Sequence, residues 1–262
     1  MAVSSPGGPL QGWRVIVTGA RSSSSRLSGR LADAGANSVE IPVIEILDPL
    51  DGGACLEEAL ARIDDYEWVV FTSANAVERC CRHDFRSRAL GRVKVAAIGA
   101  ATAAALSEQG VKADLVPERF VSEALVETFP GPAAHRRASV LFPCAAEVRE
   151  VLAEGLRAKG WRVDVVVAYR TVHPTPRAGD LEALAGADAV VFTSSSTVSG
   201  YLDFAGLDRV PPVVACIGPV TARAAIQAGL RVDIVAPVQT ADGLAESLIE
   251  WARHQGRPGG RQ

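Results

Sequence analysis

WVVFTSAN at residues 68–75 returns as AVVFTSSS at residues 189–196. A second matched pair follows at nearly the same spacing, IGAATA at residues 98–103 and IGPVTA at residues 217–222. Each of these pairs leads into a helix-like run that closes on Gly110 or Gly229. A repeat of this length is a whole domain rather than a solenoid unit. The sequence therefore predicts two similar lobes that face each other across a cleft.

The composition is that of an α/β protein without a membrane or nucleic-acid partner. The chain has 262 residues, of which 48% are hydrophobic and 5% aromatic, and its net charge is −3. No basic run concentrates the 27 Lys and Arg residues, which argues against nucleic-acid binding. No apolar stretch is long enough to span a bilayer, and the N-terminus lacks a signal-peptide pattern. We expect a cytoplasmic protein, and the five cysteines have no metal-ligand spacing.

Short β-branched runs alternate with helical patterns along most of the chain. This alternation predicts parallel sheets covered by helices on both faces. The predicted strands are residues 14–18, 68–72, 93–98, 139–142, 189–193 and 213–217. The predicted helices are residues 26–34, 76–81, 101–109, 147–159, 197–204, 221–228 and 242–253.

Two extended segments, residues 38–46 and 161–172, are longer than an average strand. Each is followed by a break that contains proline, at Pro49 or at Pro174. They occupy similar places in the two copies of the repeat. We interpret them as strands that cross from one lobe to the other and form a hinge of two paired strands.

The Ile-Gly-x-x-Thr-Ala pair predicts two anion sites. An apolar strand ends at Gly99 or Gly218, where a ligand can approach the backbone because there is no side chain. Thr102 and Thr221 stand in the first turn of the next helix. Free N–H groups and the positive end of the helix dipole favour a carboxylate or phosphate there. The alternative is that each threonine simply caps its helix.

The Phe-Thr-Ser-x-x-x-Val pair has the same strand-to-helix geometry. Ser73 with Asn75 in the first copy, and Ser194 in the second, supply further hydrogen-bonding groups at the carboxyl edge of each predicted sheet. Open α/β sheets bind ligands at this edge. Simple N-capping by the two serines is again the alternative. Four such turns would suit a ligand that carries several carboxylates.

Two further residues are candidates for the same site. Arg21 follows the strand in Thr18-Gly19-Ala20-Arg21, a loop without the glycines of a dinucleotide fingerprint or the Gly-Lys of a P-loop. It is a candidate contact for an anionic ligand. Tyr169, near the end of the second long strand, carries a phenol that can donate a proton or a hydrogen bond. A structural tyrosine is the alternative.

Taken together, these segments resemble the uroporphyrinogen-III synthase family. The resemblance is carried, in order along the chain, by Thr72 to Val77, Ile98 to Thr102, Leu141 to Cys144, Val167 to Val172, Phe192 to Ser194, Ile217 to Ala224 and Thr240 to Leu244. It implies two flavodoxin-like parallel-sheet lobes joined by a two-stranded β-ladder hinge. The implied lobes are residues 1–38 with 174–262 and residues 50–162, and the implied linker strands are residues 39–49 and 163–173.

The resemblance also implies a substrate and a set of roles. The substrate is hydroxymethylbilane, a linear tetrapyrrole that the family cyclises to uroporphyrinogen III through a spirocyclic pyrrolenine, without a cofactor. Tyr169 is implied to donate a proton to the leaving hydroxyl. The turns described above, with Arg21 and Asn75, would hold the substrate's carboxylates, and no metal is expected. We expect a monomer that takes its substrate over from hydroxymethylbilane synthase.

A second function remains open for the same fold. A two-lobed cleft could bind a tetrapyrrole or another polyanion for regulation without catalysing a reaction, because fold alone does not decide function. The sequence shows no helix-turn-helix or receiver segment beside the repeat. This favours the enzyme.

Overall fold

A computed structural model describes residues 8–20, 25–86, 93–133, 138–147, 151–175 and 179–258. The chain divides into two compact units. The first unit comprises Met1–Glu45 and Val172–Gln262, and the second comprises Ile46–Thr171. The chain therefore passes from one unit to the other twice.

Strands and helices alternate through the described residues. The strands are β1 (Arg14–Gly19), β2 (Asn37–Pro42), β3 (Glu45–Leu47), β4 (Trp68–Phe71), β5 (Lys94–Ala97), β6 (Ser139–Ala145), β7 (Arg162–Val172), β8 (Ala189–Phe192), β9 (Val213–Cys216) and β10 (Ile234–Val235). The helices are α1 (Ser25–Asp33), α2 (Ala54–Ala61), α3 (Ala74–Arg82), α4 (Ala100–Glu108), α5 (Ser122–Thr128), α6 (Val151–Ala158), α7 (Ser195–Ala205), α8 (Pro219–Gln227) and α9 (Ala241–Gln255). Three short 3₁₀ helices cover Ile63–Asp65, Glu182–Leu184 and Leu207–Arg209.

The first unit is built on a five-stranded sheet with the order β10-β9-β8-β1-β2. Its neighbouring strands pair in parallel. Helices α1 and α9 pack on one face, because each repeats apolar residues at helical spacing, such as Leu27 with Leu31 and Leu244 with Leu248. These leucines bury their side chains against Val15 and the other strand residues of that face. The alternating pattern in the sequence thus correctly predicts the parallel sheet.

The second unit is built on a sheet with the order β3-β7-β6-β4-β5. Strands β5, β4, β6 and β7 pair in parallel. Both faces are buried: one packs on a cluster that includes Phe71, Phe85 and Leu106, and the other on a cluster that includes Trp68, Phe129 and Trp161. Strands covered on both faces read as continuous apolar runs, as WVVF of β4 does.

The two extended segments differ from each other. The second is one continuous strand, β7, of 11 residues. The first is not one strand: it ends at Pro42 and resumes at Glu45, giving β2 in the first sheet and β3 in the second. Pro42 explains the interruption, because proline has no N–H to donate to a continuing ladder. Of the first extended segment, the short strand β3 is the part that lies beside β7.

Candidate functional site

The repeated motifs lie at the carboxyl edges of the two sheets. In the second unit, β4 and β5 are neighbours, and they lead into α3 and α4. The Ile98 N–H donates to the Phe71 carbonyl at 2.9 Å and joins the two turns. In the first unit, the Ile217 N–H donates to the Phe192 carbonyl, also at 2.9 Å. Each unit therefore brings two of the four predicted turns together.

The two serine turns are helix N-caps. Ser73 Oγ accepts a hydrogen bond from the Ala76 N–H at 3.1 Å at the start of α3. Ser194 Oγ accepts one from the Thr197 N–H at 3.2 Å at the start of α7. In turn, the Thr197 hydroxyl accepts a hydrogen bond from the Ser194 N–H at 3.1 Å. The capping alternative thus describes what these serines do within the fold.

The two glycine turns differ from the serine turns because no side chain among the described residues caps their helices. Gly99 precedes α4 and Gly218 precedes α8. Thr102 and Thr221 are the third residues of these helices, and their exposures are only 5% and 4%. Neither threonine acts as the cap. The N–H groups of the first turn of α4, and those that follow Pro219 in α8, are therefore left without a capping side chain, which suits an anion.

A neighbouring side chain lies over each of these glycines. A Cβ on Gly99 would come within 3.2 Å of the Phe120 side chain, and a Cβ on Gly218 within 2.7 Å of the Gln239 side chain. The backbone at both glycines is extended, which any residue can adopt. Space, rather than backbone conformation, therefore accounts for glycine at both positions.

Tyr169 contacts the first serine turn. Its phenol oxygen lies 3.0 Å from Ser73 Oγ, and its side chain is buried. Burial raises the pKa of the phenol, while hydrogen bonds with the side chains of Ser73 and Asn75 oppose that rise. The hydroxyl is therefore protonated over the whole neutral pH range. It is a neutral phenol beside a serine and a carboxamide, and in its bond with Ser73 either oxygen can be the donor.

A β-bulge in β7 directs this tyrosine. Cys144 pairs with Val167 and Ala145 with Tyr169, so that Ala168 is the extra residue. Because side chains alternate along a strand, one extra residue moves all later side chains to the opposite face. Val163, before the bulge, belongs to one buried cluster, whereas Tyr169 belongs to the other. The bulge thus turns Tyr169 towards α3.

The predicted site residues are divided between the two units. The second unit holds Tyr169, Ser73, Asn75, Gly99 and Thr102, and within this set Ser73 and Asn75 contact Tyr169. The first unit holds Ser194, Gly218 and Thr221. Arg21 lies outside the described residues, so its prediction has no structural counterpart.

One paired feature was missed by the sequence reasoning. Asp114 Oδ2 accepts from the Val95 N–H at 2.8 Å, and Asp233 Oδ2 accepts from the Val214 N–H at 2.9 Å. These carboxylates hold the start of β5 and of β9 in the same way. The signal was present in the sequence, because both aspartates stand four residues after the glycine that closes the preceding helix, Gly110 or Gly229. Their role is structural.

The described residues contain no group of three or more His, Cys, Asp or Glu side chains that could hold a metal ion. Among the helices of the same residues, none is long and apolar enough to cross a membrane.

Two parallel sheets, with paired strand-to-helix turns at their carboxyl edges, define an α/β protein of two repeated units. The family model described as Uroporphyrinogen-III synthase HemD matches residues 25–246. A uroporphyrinogen-III synthase of Synechococcus elongatus is 36% identical over 260 residues, covering 94% of this chain and 97% of that protein. The chain belongs to the uroporphyrinogen-III synthase family.

Other relatives agree with this assignment. The porphyrin biosynthesis protein HemD of Ruminiclostridium josui is 29% identical over 252 residues, which cover 92% of this chain and 49% of that protein. A crystal structure of a mutant uroporphyrinogen III synthase from Thermus thermophilus superposes with a TM-score of 0.63 at 18% identity, covering 93% of this chain and 100% of that one. The synthetase from Helicobacter pylori superposes with a TM-score of 0.58 at 20% identity, covering 91% and 99%. The two solved structures support the fold.

Proposed function

We propose that this protein is a uroporphyrinogen-III synthase, a cyclising lyase that converts hydroxymethylbilane to uroporphyrinogen III. The reaction expels the terminal hydroxyl as water, closes the ring through a spirocyclic pyrrolenine and inverts the last pyrrole. The observation that carries the proposal is the match to the family over residues 25–246. The S. elongatus synthase, aligned over nearly the full length of both chains, supports it.

The proposed acid is the phenol of Tyr169. The pyrroles supply much of the driving force for loss of the hydroxyl, so that a weak acid suffices. A phenol with a raised pKa keeps its proton at neutral pH and can donate it as the carbon–oxygen bond breaks. General acid help of this kind is typically worth about 10² to 10⁴ in rate. Ser73, 3.0 Å from the phenol oxygen, would orient the hydroxyl.

The proposed contacts for the substrate carboxylates are the strand-to-helix turns. The helix starts at Gly99 and Gly218 offer N–H groups that no described side chain caps. Ser73, Asn75, Ser194, Thr102 and Thr221 belong to the same turns, and Arg21 stays a proposed contact. Correct placement of a flexible chain contributes strongly to rate, because it replaces a search through many conformations.

The proposed domain arrangement keeps residues 1–38 with 174–262 as one lobe, residues 50–162 as the other, and residues 39–49 and 163–173 as the linkers of a hinge. Its support is that the chain passes between the two compact units only at residues 45–46 and 171–172. Two connections permit a change of angle between domains on binding. Small-angle scattering with and without product tests the hinge, and identical profiles would contradict it.

The decisive experiment is a product-isomer assay. The protein is supplied with hydroxymethylbilane made in the same tube by hydroxymethylbilane synthase, and the oxidised products are separated by chromatography. Uroporphyrinogen III is the expected product. Uroporphyrinogen I alone, which forms spontaneously, would reject the activity and leave a tetrapyrrole-binding regulatory module as the alternative. We also propose that the protein is a monomer that receives substrate from that synthase, and light scattering of the mixture tests both points.

A further inference from the structure

Arg79 is a buried cation within α3. Its side chain is only 10% exposed, and the guanidinium forms an ion pair with Asp48. Arg79 Nη2 also donates to the carbonyl oxygen of Ile46 at 2.8 Å. A buried charge is costly unless it is paired and hydrogen-bonded, so these contacts are the ones that allow Arg79 to stay in this position. Through them, α3 holds residues 46–48.

The same short segment is held from its other side by the end of β7. Arg170 Nε donates to the carbonyl oxygen of Asp48 at 3.0 Å. Arg170 directly follows Tyr169, and Ser73 is the N-cap of the helix that carries Arg79. Residues 46–48 therefore connect α3 with the end of β7, the two elements that supply Ser73 and Tyr169.

The other copy of the repeat lacks this arginine. Gly200 stands in α7 where Arg79 stands in α3, since each lies six residues after its N-cap serine. A Cβ on Gly200 would lie 2.3 Å from the Val43 carbonyl oxygen. The backbone there is too close for a side chain. Arg79 is thus found in the copy of the repeat whose serine turn contacts Tyr169.

We propose that Arg79 is a positioning residue for the Tyr169 phenol. By holding residues 46–48 against α3, it fixes the end of β7 relative to Ser73 and keeps the phenol within hydrogen-bond distance of the Ser73 hydroxyl. Arg79 acts through this segment and not by contact with the phenol. The inference rests on the proposed function for its effect on rate, but the geometry it describes can be measured without any substrate.

The test combines fluorine NMR with kinetics. The protein is labelled with 3-fluorotyrosine, which gives three resonances for Tyr66, Tyr169 and Tyr201, and Tyr169→Phe assigns the relevant one. In Arg79→Met we expect the Tyr169 resonance to move and kcat to fall about tenfold or more with little change in KM, because misplacement by about 1 Å can cost up to about 10²-fold. Arg79→Lys should restore part of the rate, since it keeps the charge but not the fork of donors.

Arg82→Met is the matched control. Arg82 lies on the same helix, but its side chain is 54% exposed and, within the part of the chain that the structure describes, its ion pair is with Glu78 of the same helix. We expect neither the Tyr169 resonance nor kcat to change in this variant.

Two further variants, Arg79→Lys and Asp48→Asn, keep the proposal testable if Arg79→Met does not fold. Asp48→Asn removes the ion pair at a side chain that is 63% exposed, so folding should survive. An unmoved Tyr169 resonance in both Arg79→Lys and Asp48→Asn would overturn the proposal. If the wild-type protein makes no uroporphyrinogen III, the proposed function fails, whereas the resonance still decides whether Arg79 positions Tyr169.

Discussion

The hydroxyl of Ser73 lies 3.0 Å from the phenol oxygen of Tyr169, although 96 residues separate them in the chain. Ser73 simultaneously caps α3, so its oxygen is fixed by the helix that it begins. The phenol is thus oriented by a group that cannot rotate away without uncapping a helix. The corresponding serine of the other copy, Ser194, instead lies 2.9 Å from the hydroxyl of Ser196.

Tyr169→Phe should lower kcat by about 10²-fold, because loss of a general acid costs at least that much. The variant removes the hydrogen bonds of the phenol with Ser73 and Asn75, so the free energy of unfolding should fall by about 1 to 3 kcal/mol. Tyr201→Phe is the matched control, since the Tyr201 phenol donates at 2.7 Å to the carbonyl of Arg209, a residue that belongs to none of the four turns. Its kcat should not change. A wild-type rate in Tyr169→Phe would remove the phenol from the acid role.

Ser73→Ala and Ser194→Ala should each reduce the free energy of unfolding by about 1 kcal/mol, because each removes an N-cap. Their kinetic effects should differ. Ser73→Ala should mainly lower kcat, since it also frees the Tyr169 phenol, whereas Ser194→Ala should mainly raise KM. Denaturant unfolding and steady-state kinetics on both variants check this. Equal kinetic changes in the two would contradict the special role of Ser73.

The phenols should ionise only at high pH, and their ionisation should destabilise the fold. Burial raises the pKa of Tyr169, and it raises that of Tyr201 to about 12. Burial together with the neighbouring Asp164 carboxylate raises the pKa of Tyr66 to about 12. When folding raises the pKa of a phenol, the phenol stabilises the folded state fully at pH values below about 10, the pKa of the unfolded chain. This contribution is lost as the pH rises through the pKa of the folded state. The free energy of unfolding should therefore fall between about pH 10 and 12.

A double variant, Tyr66→Phe with Tyr201→Phe, leaves Tyr169 as the single phenol of the chain. Its ultraviolet titration should give a midpoint above the ordinary value of about 10. A midpoint at or below that value would mean that burial does not govern this group.

Gly200→Ala should be strongly destabilising, by about 2 to 3 kcal/mol or more, because its Cβ would lie 2.3 Å from the Val43 carbonyl oxygen. Gly29→Ala is the control within another helix, where a Cβ meets nothing within 4 Å. That change should stabilise the protein by about 0.5 to 1 kcal/mol, since alanine favours a helix over glycine. Thermal and urea unfolding compare the two, and similar effects would show that the close approach at Gly200 is relieved by a small shift.

The sequence predicted most of the sheet elements because their apolar runs are bounded by clear turn residues. WVVF of β4 and AVVF of β8 stop at Thr-Ser, and the structure places both strands there. Helices α2 and α5 were missed, since their N-cap residues, Gly53 and Val121, have no capping side chain and Gly53 has a left-handed conformation. In α2 the Cys55 N–H instead donates to Asp51 Oδ2 at 2.9 Å, from outside the usual cap position. The family resemblance read from these motifs is confirmed by the comparisons.

The contacts of the candidate site were less predictable than its residues. The serine turns could be placed from strand-to-helix spacing alone, but the contact between Ser73 and Tyr169 depends on the register of β7 against β6. A bulge leaves no mark in a run such as VDVVVAYRTV. The split of the first linker was also missed, because Pro42 lies within an otherwise extended pattern.

The bulge at Ala168 has a genetic consequence. With Ala168 as the extra residue, β7 presents Tyr169 to α3. Without it, the same side chain would turn towards the cluster of Trp68 and Trp161. Loss of the Ala168 codon alone would keep every side chain that the site uses and still withdraw the phenol from Ser73. The orientation of the proposed acid, Tyr169, therefore depends on the number of residues in β7 and not on the identity of a side chain. A scan of point substitutions would not detect this dependence.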